Sequence, residues 1–258
     1  MRSIKTQKGL AIAALLLQTA SLAACSKKEE PATKRVAPPT ASSEQVPSDG
    51  SETYRLASGG NASFLIDAPL EKIKGRVTNL RGHIELHPSQ LAATRGEIDV
   101  DLDSLKTTTF DDVDKNAKQT EHSHNWLELG NDVDPKEREE NRWARFSLRN
   151  LQAAGVTKLS DVALTDGQRT LAFTAEGEFW LHGVSVRKTV RLSVAFRGGA
   201  EAPTELEVKT LEPLGVSLRE HDVKPRDVAG KFLQGALEKV GQKIDDKVQI
   251  TLKFTAKR

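Results

Sequence analysis

The chain has 258 residues, of which 37% are hydrophobic, and it carries 38 Lys and Arg against 36 Asp and Glu. This is enough apolar material for a folded core, so disorder throughout is excluded. Without Arg2, Lys5 and Lys8, which belong to an N-terminal segment that we expect to be removed, 38 − 3 = 35 basic groups face 36 acidic ones. Such a balance offers no basic field for nucleic acid and no polybasic segment for anionic lipid head groups.

Residues 1–24 have the layout of a secretory signal peptide. A cationic start is followed by an apolar run, Leu10–Leu17, and by small residues before Cys25. The run is too short to span a bilayer comfortably. The sequence Leu22-Ala23-Ala24-Cys25 resembles a bacterial lipobox, and Cys25 is the only cysteine, so no intramolecular disulfide can form. We expect lipidation at Cys25; the alternative is an ordinary signal peptide with a chance cysteine.

The residues after Cys25 predict a destination and a tether. Ser26 and Lys27 stand where an Asp retains enterobacterial lipoproteins at the inner membrane, so the resemblance to lipoproteins implies the outer membrane, facing the periplasm. Residues 25–52 are rich in Pro, Ser, Ala and charge. Such a stretch cannot bury enough surface to offset its ordering entropy. We expect a lipidated disordered linker that holds a folded domain, residues 53–258, off a membrane.

From Tyr54 onward the chain alternates apolar and polar residues. In residues 96–105 the side chains of Ile98, Val100 and Leu102 share one face of a predicted strand. The same period of two recurs in the segments 82–87, 189–196, 205–211 and 247–254. One wet and one dry face per strand indicates an antiparallel sheet, because strands covered on both sides would be apolar throughout. Many such strands with sparse helix predict a barrel or a sandwich.

Two segments interrupt the strand pattern and predict helices. Residues 112–129 contain helix formers, and residues 226–244 place apolar side chains at four-residue steps. Both are expected to lie across the ends or rims of a barrel. The charged stretch 131–142 is predicted to be a solvated loop.

Acidic residues alternate on the polar face of the strand at 96–105. Asp99, Asp101 and Asp103 lack the Gly and terminal Glu of a calcium-binding EF-hand loop. We expect them to keep an exposed strand soluble.

The chain offers weak candidates for catalysis or metal binding. The six histidines are His83, His87, His122, His124, His182 and His221. His122 and His124 could supply two metal ligands if their segment were extended, but no HExxH motif or paired cysteines support zinc. We expect surface or rim histidines, no catalytic residue, no metal and no cofactor. The tryptophans, Trp126, Trp143 and Trp180, are expected to pack at the rim rather than stack on a ligand.

The order of several segments resembles the YceI-like family. These segments are SLKTTT (104–109), NWLEL (125–129), ARFSLRN (144–150), AEGEFWLHGVSVRKTVRLSV (175–194) and KVQITLKFTAKR (247–258). The most specific piece, Gly177-x-Phe179-x-Leu181-His182-Gly183-Val184, is similar to the family's Gly-x-Leu-Thr-x-x-Gly-Val hairpin. Trp180 stands where the family usually has Thr. The family comprises bacterial periplasmic or secreted proteins. The resemblance implies an all-β, lipocalin-like antiparallel β-barrel of about eight strands that holds a polyisoprenoid chain.

The alternating faces predict an apolar interior inside this barrel, with Gly183 serving a tight turn. Whether that interior is hollow or filled by its own side chains stays open from the residues alone. If it is hollow, we expect its ligand-binding wall to include Phe64, Ile84, Ile98, Val100, Leu102, Phe146, Phe173, Phe179, Leu181, Leu192, Val194, Val208, Ile250 and Leu252.

The resemblance therefore implies a lipid-anchored binding protein for a long apolar ligand such as a polyprenyl chain or a quinone. A long chain can span two subunits, so a homodimer is possible. The alternatives are a structural or interaction module of the cell envelope with a solid barrel, and an enzyme that uses His122 and His124.

Overall fold

The structure is a computed structural model that describes residues 50–67, 72–223 and 247–258. The predicted signal peptide, the lipidation site Cys25, almost all of the linker and the predicted helix at 226–244 lie outside these residues. The three-part division of the chain stays a prediction.

The described residues form strands joined by short connections, with two α-helices in one long excursion. The elements are β1 (Glu52–Leu56), β2 (Asn61–Asp67), β3 (Lys72–Val77), β4 (Leu80–Leu86), β5 (Arg95–Asp101), β6 (Lys106–Thr107), α1 (Val113–Trp126), α2 (Pro135–Asn141), β7 (Trp143–Gln152), β8 (Gln168–Leu181), β9 (Val184–Gly198), β10 (Pro203–Thr210), β11 (Leu214–Ser217) and β12 (Lys247–Lys257).

The sheet closes on itself as a barrel. Eight antiparallel strands follow one another in the order β1-β4-β5-β7-β8-β9-β10-β12, and β12 pairs back to β1 through Lys257 opposite Arg55. The other half of β12 pairs with β2 on one side and with β11 on the other. From β2 the sheet continues through β3 to the two-residue strand β6. The predicted all-β, antiparallel, lipocalin-like barrel of about eight strands is confirmed.

The inner face of the barrel is apolar from one end to the other. One cluster of buried side chains includes Leu127, Leu181 and Val216 and lies at the end where α1 packs, which we call the α1 end. A second cluster, around Phe173 and Leu206, fills the opposite end. The period of two in the sequence thus places one side chain in every pair toward the axis of the barrel.

The tight turn between β8 and β9 explains a glycine in the sequence. His182 and Gly183 both have positive φ, 50° and 78°. Two successive residues with positive φ form the turn that best matches the twist of a two-residue hairpin. Glycine adopts this conformation without the steric cost that a Cβ brings.

The two helices begin at aspartate caps. Asp112 accepts hydrogen bonds from the backbone N–H groups of the first turn of α1, and Asp134 does the same for α2, which has Pro135 at its first position. The predicted helix at 112–129 is confirmed. The predicted solvated loop at 131–142 is wrong, because the cap and the proline start a short helix there. No described helix is long and apolar enough to cross a bilayer.

The prediction that the acidic face of β5 is exposed is also wrong. Asp99 and Asp101 are only 3% and 2% exposed. Arginines from neighbouring elements cover both: Arg145 binds Asp99 with two hydrogen bonds, and Arg142 binds Asp101 with two of 2.8 Å. Burial alone would raise the pKa of Asp101. Hydrogen bonds from Arg142 and from the side-chain amide of Asn79 outweigh burial and lower the pKa.

A candidate apolar binding cavity

The barrel encloses a cavity of about 220 Å³. Strands from all around the wall and the C-terminal half of α1 contribute to its lining. Every side chain predicted from the sequence as part of the wall borders it: Phe64, Ile84, Ile98, Val100, Leu102, Phe146, Phe173, Phe179, Leu181, Leu192, Val194, Val208, Ile250 and Leu252. Their placement is a finding, while their contact with a ligand stays a prediction.

The middle of the barrel is hollow. Phe64, Ile98, Phe146, Leu192 and Leu252 lie on the inner face, yet each is only partly buried. In a core filled by its own side chains, these large apolar groups would be as closed off as the residues at the far end of the barrel. Their exposed surface faces the cavity, so the alternative of a solid core does not describe this structure.

Two phenylalanine rings pack over glycines of neighbouring strands. The ring of Phe146 covers Gly177 of the neighbouring strand, where a Cβ would lie 2.6 Å from Phe146 Cζ. The ring of Phe64 covers Gly75, its register partner on β3, in the same way. A side chain larger than glycine at either position would collide with the ring that now lies there.

The lining offers almost no polar group to a ligand. The hydroxyl groups of Thr94, Ser123 and Thr210 are each hydrogen-bonded to the protein's own backbone at 2.9–3.2 Å. Arg145 is the only charged residue among the described lining residues, and Asp99 holds its guanidinium on the outer side of the wall. A ligand that fits this wall is therefore apolar along most of its length, because the wall has few polar groups to compensate a buried polar atom.

The end of the barrel opposite α1 is tightly packed. Tyr54 is fully buried, and its hydroxyl donates a hydrogen bond of 2.6 Å to the carbonyl of Pro203. Burial raises the pKa of Tyr54 to about 12. Leu91 and Leu159, from short helical turns outside the strands, are also buried here.

At the α1 end, the wall includes residues that reasoning from the sequence missed. Trp126 and Leu127 border the cavity from α1, and Leu218 and Val223 border it from the segment after β11. The adjacent apolar residues Trp126 and Leu127 in NWLEL indicated a buried position. A period-of-two pattern does not detect inward side chains on a helix, so they were missed.

The predicted surface or rim histidines include three that are buried, and the least buried of them, His87, is 9% exposed. His182 and His221 are 1% and 0% exposed. His182 Nε2 lies 2.9 Å from Glu128 Oε2, and its Nδ1 lies 3.2 Å from the carbonyl oxygen of His221. The His221 ring packs edge-on against Phe179, and burial lowers its pKa. The prediction is wrong for all three residues. His182 and His221 are buried because the β8–β9 turn folds under the segment after β11.

The metal-site alternative has no geometric support in the described residues. His122 and His124 lie two residues apart on α1, where side chains at that spacing do not share a face. No group of three His, Cys, Asp or Glu side chains in the described part of the chain lies close enough to hold a metal ion.

The three tryptophans occupy different environments. Trp126 borders the cavity, as given above. Trp180 faces away from the lumen and is 3% exposed. Trp143 lies on the outer face, where the guanidinium carbon of Arg81 stands 3.6 Å from its ring centroid.

A closed antiparallel barrel with a hollow apolar centre defines a lipocalin-like fold. The sequence profile of the YceI-like domain matches residues 56–256. The chain belongs to the YceI-like family.

A solved structure supports the fold. A polyisoprenoid binding domain from Saccharophagus degradans implicated in plant cell wall breakdown has 15% identity and a TM-score of 0.51, and the match covers 79% of this chain and 97% of that one. BcnA of Burkholderia cenocepacia has 14% identity and a TM-score of 0.47, covering 76% of this chain and 95% of that one. No curated protein matches the sequence.

Proposed function

We propose that this protein holds a long apolar chain of the isoprenoid type, such as a polyprenyl chain or a quinone tail, inside its barrel. The observation that carries the proposal is the hollow lumen whose large apolar side chains face empty space. Each methylene removed from water contributes about 0.8 kcal/mol, so several isoprene units bind tightly without any hydrogen bond. A polar head would stay at a mouth of the barrel, because almost all of the lumen wall is apolar.

The family and fold comparisons support the same ligand class. One solved structure of this fold is described as a polyisoprenoid binding domain. No catalytic step is needed for binding and release, so we assign the protein a carrier or sequestering role. An envelope interaction module remains the competing function, and its solid-core form is disfavoured by the cavity.

The sequence supports a place for this activity. A lipobox-like sequence before Cys25 and the low-complexity linker after it favour a lipid-anchored protein, and Ser26 and Lys27 favour the outer membrane facing the periplasm. In that position the barrel would keep an apolar molecule out of water between two membranes. A homodimer is compatible with a ligand longer than one lumen.

Extraction of the native protein tests the proposal. The protein is purified from membranes in a mild detergent, extracted with organic solvent and analysed by mass spectrometry. We expect a prenyl lipid in near-stoichiometric amount. Repeatedly empty extracts, together with no uptake of an added prenyl lipid, would contradict the carrier role.

A further inference from the structure

The outer face of β3 carries a row of cations. Lys72, Lys74 and Arg76 alternate with inward-facing residues, and all three are exposed. On the next strand, β6, Lys106 is the register partner of Arg76 and is also exposed. We call Lys74, Arg76 and Lys106 the cationic stripe.

Among the described residues, the stripe lacks the counter-charges that the cations of strands β9 and β12 have. Arg197, Lys253 and Lys257, on β9 and β12, each lie within 4 Å of Glu205 or Glu207 on β10. Beside the stripe, Lys72 lies 3.4 Å from Asp67.

No ion pair joins a stripe residue to a carboxylate in the described part of the chain. Like charges directly opposite each other on neighbouring strands are destabilising, so Arg76 and Lys106 work against the fold. A local conflict of this kind, with no compensating carboxylate among the described residues, points to a partner that supplies the missing negative charge.

The stripe lies next to the part of the wall that is made by a helix. β6 is the last strand of this extension of the sheet, and α1 packs along it. The backbone N–H of Thr107 donates to Thr120 Oγ1 over 3.0 Å, and the Thr107 hydroxyl donates to the carbonyl of Asn116 over 2.8 Å. Further along α1, Ser123 and Trp126 border the cavity. Beside the stripe, the sheet therefore ends at β6, and α1 rather than another strand packs against it.

The chemistry of the lumen decides which anionic partner fits. A hydrocarbon chain does not cross water readily, so a protein that carries one has to meet a lipid phase to load or unload it. A bilayer surface with anionic phospholipids presents many phosphate groups side by side and attracts each nearby Lys or Arg. The stripe ends on one side at three aspartates, Asp111, Asp112 and Asp114. They follow Thr109 in the chain, and the Thr109 hydroxyl accepts a hydrogen bond from the backbone N–H of Lys74.

We propose that Lys74, Arg76 and Lys106 dock the outer wall of the barrel on the head groups of an anionic phospholipid bilayer. The choice of a bilayer rests on the proposed function, because it follows from the apolar lumen. The docked orientation brings the α1 side of the wall to the lipid surface. This surface is separate from the predicted anchor at Cys25, since it acts through charge and through the folded domain.

Vesicle binding of matched variants tests the docking surface. All proteins are the full chain with Cys25→Ser, so that no attached lipid contributes. The test variant carries Lys74→Gln, Arg76→Gln and Lys106→Gln; the control carries Lys209→Gln, Lys253→Gln and Lys257→Gln and has the same change in net charge. Binding is measured by co-sedimentation with vesicles of phosphatidylglycerol and phosphatidylcholine, and with vesicles of phosphatidylcholine alone.

We expect the test variant to bind the anionic vesicles roughly 10- to 100-fold more weakly than the parent, and the control to stay within about twofold. Binding of the parent should fall with rising salt, because exposed charges are screened. Any contribution from the apolar N-terminal residues is common to all three proteins and is measured on phosphatidylcholine alone.

Three results would overturn the proposal: equal losses in the two variants, unchanged binding of the test variant, or full competition by millimolar inorganic phosphate. The last result would mean that the stripe recognises a free anion rather than a surface. Circular dichroism and thermal unfolding show that the variants fold. Prenyl-lipid content, measured in the same samples, reports on the carrier role separately, because empty extracts contradict that role whatever the vesicles show.

Discussion

Asp99 and Arg145 face each other across strands β5 and β7 on the outside of the barrel, yet both are almost fully buried. Arg145 Nη2 donates to Asp99 Oδ2 over 2.9 Å, and its Nε donates to the other carboxylate oxygen. Arg81 covers the pair, with its Nε 3.1 Å from Asp99 Oδ2 and its guanidinium stacked on Trp143. Burial opposes the charge of Arg145, but the hydrogen bonds to Asp99 outweigh it and raise its pKa.

Removing one member of this pair should destabilise the barrel strongly. Arg145→Met leaves the Asp99 carboxylate buried without its main partner, and we expect a loss of about 3–5 kcal/mol in the free energy of unfolding. Glu212→Gln, which breaks the exposed pair of Arg191 and Glu212, should cost less than about 1 kcal/mol. Urea unfolding monitored by fluorescence compares the two. Similar losses in both variants would show that burial does not strengthen the Asp99–Arg145 pair.

Filling the lumen should reduce ligand capacity without unfolding the protein. Leu252 borders the cavity, and its neighbour on β12, Thr251, is exposed on the outside. Leu252→Trp places an indole in the space that a hydrocarbon chain would occupy, whereas Thr251→Trp adds the same group outside. We expect several-fold less prenyl lipid bound by the first variant and parental binding by the second, as measured by extraction and mass spectrometry. Equal lipid content in the two folded variants would mean that the ligand does not use this part of the cavity.

Acidification should weaken the fold through buried histidines. Burial lowers the pKa of His221 and of His124 below the ordinary value of 6.5, because the charged ring is poorly solvated. As the pH falls below 6.5, these histidines bind protons in the unfolded chain but stay neutral in the folded one. The free energy of unfolding therefore decreases. Each such group changes the slope by up to about 1.4 kcal/mol per pH unit.

The variant His221→Gln isolates one of these groups. His221 lies near the charges of Lys188 and Glu220, which stay in place in the variant. We expect a flatter decrease of stability between about pH 7 and pH 5 than in the parent. The control, His122→Gln, alters a partly exposed ring on α1. An unchanged slope in His221→Gln would contradict the assignment.

Loss of the predicted lipidation site should release the protein from the membrane. Cys25→Ser removes the only thiol of the chain and with it the acceptor for a lipid. After expression in the native host and cell fractionation, we expect the parent in the membrane fraction and the variant in the soluble fraction after a salt wash. The salt wash removes binding through the cationic stripe. Persistent association in high salt would argue against anchoring through Cys25.

The alternation of apolar residues was sufficient to place the inner wall. Leu192 and Ile250, for example, were assigned inward from the period of two alone, and both border the cavity. Hollowness could not be predicted in this way, because filled and empty barrels require the same alternation. The space depends on how the rings of Phe64 and Phe146 fold back over glycines, which is a matter of packing across strands.

Predictions from the sequence failed for charged residues whose neighbours come from distant parts of the chain. Asp99 looked solvent-exposed because its strand has a polar face, but Arg81 and Arg145, from the two neighbouring strands, cover it. Overall charge balance likewise hid the local excess of cations on β3 and β6, which is created only when Arg76 and Lys106 pair across strands.

The position of β12 has a consequence for biogenesis. This strand pairs with β1, β2, β10 and β11, so four other strands keep open edges until it arrives. Since Arg55 must meet Lys257, closure joins residues that are far apart in sequence, and such contacts form slowly. A nascent chain without β12 keeps these strand edges unpaired, and unpaired edges make it prone to aggregation until the final strand covers them.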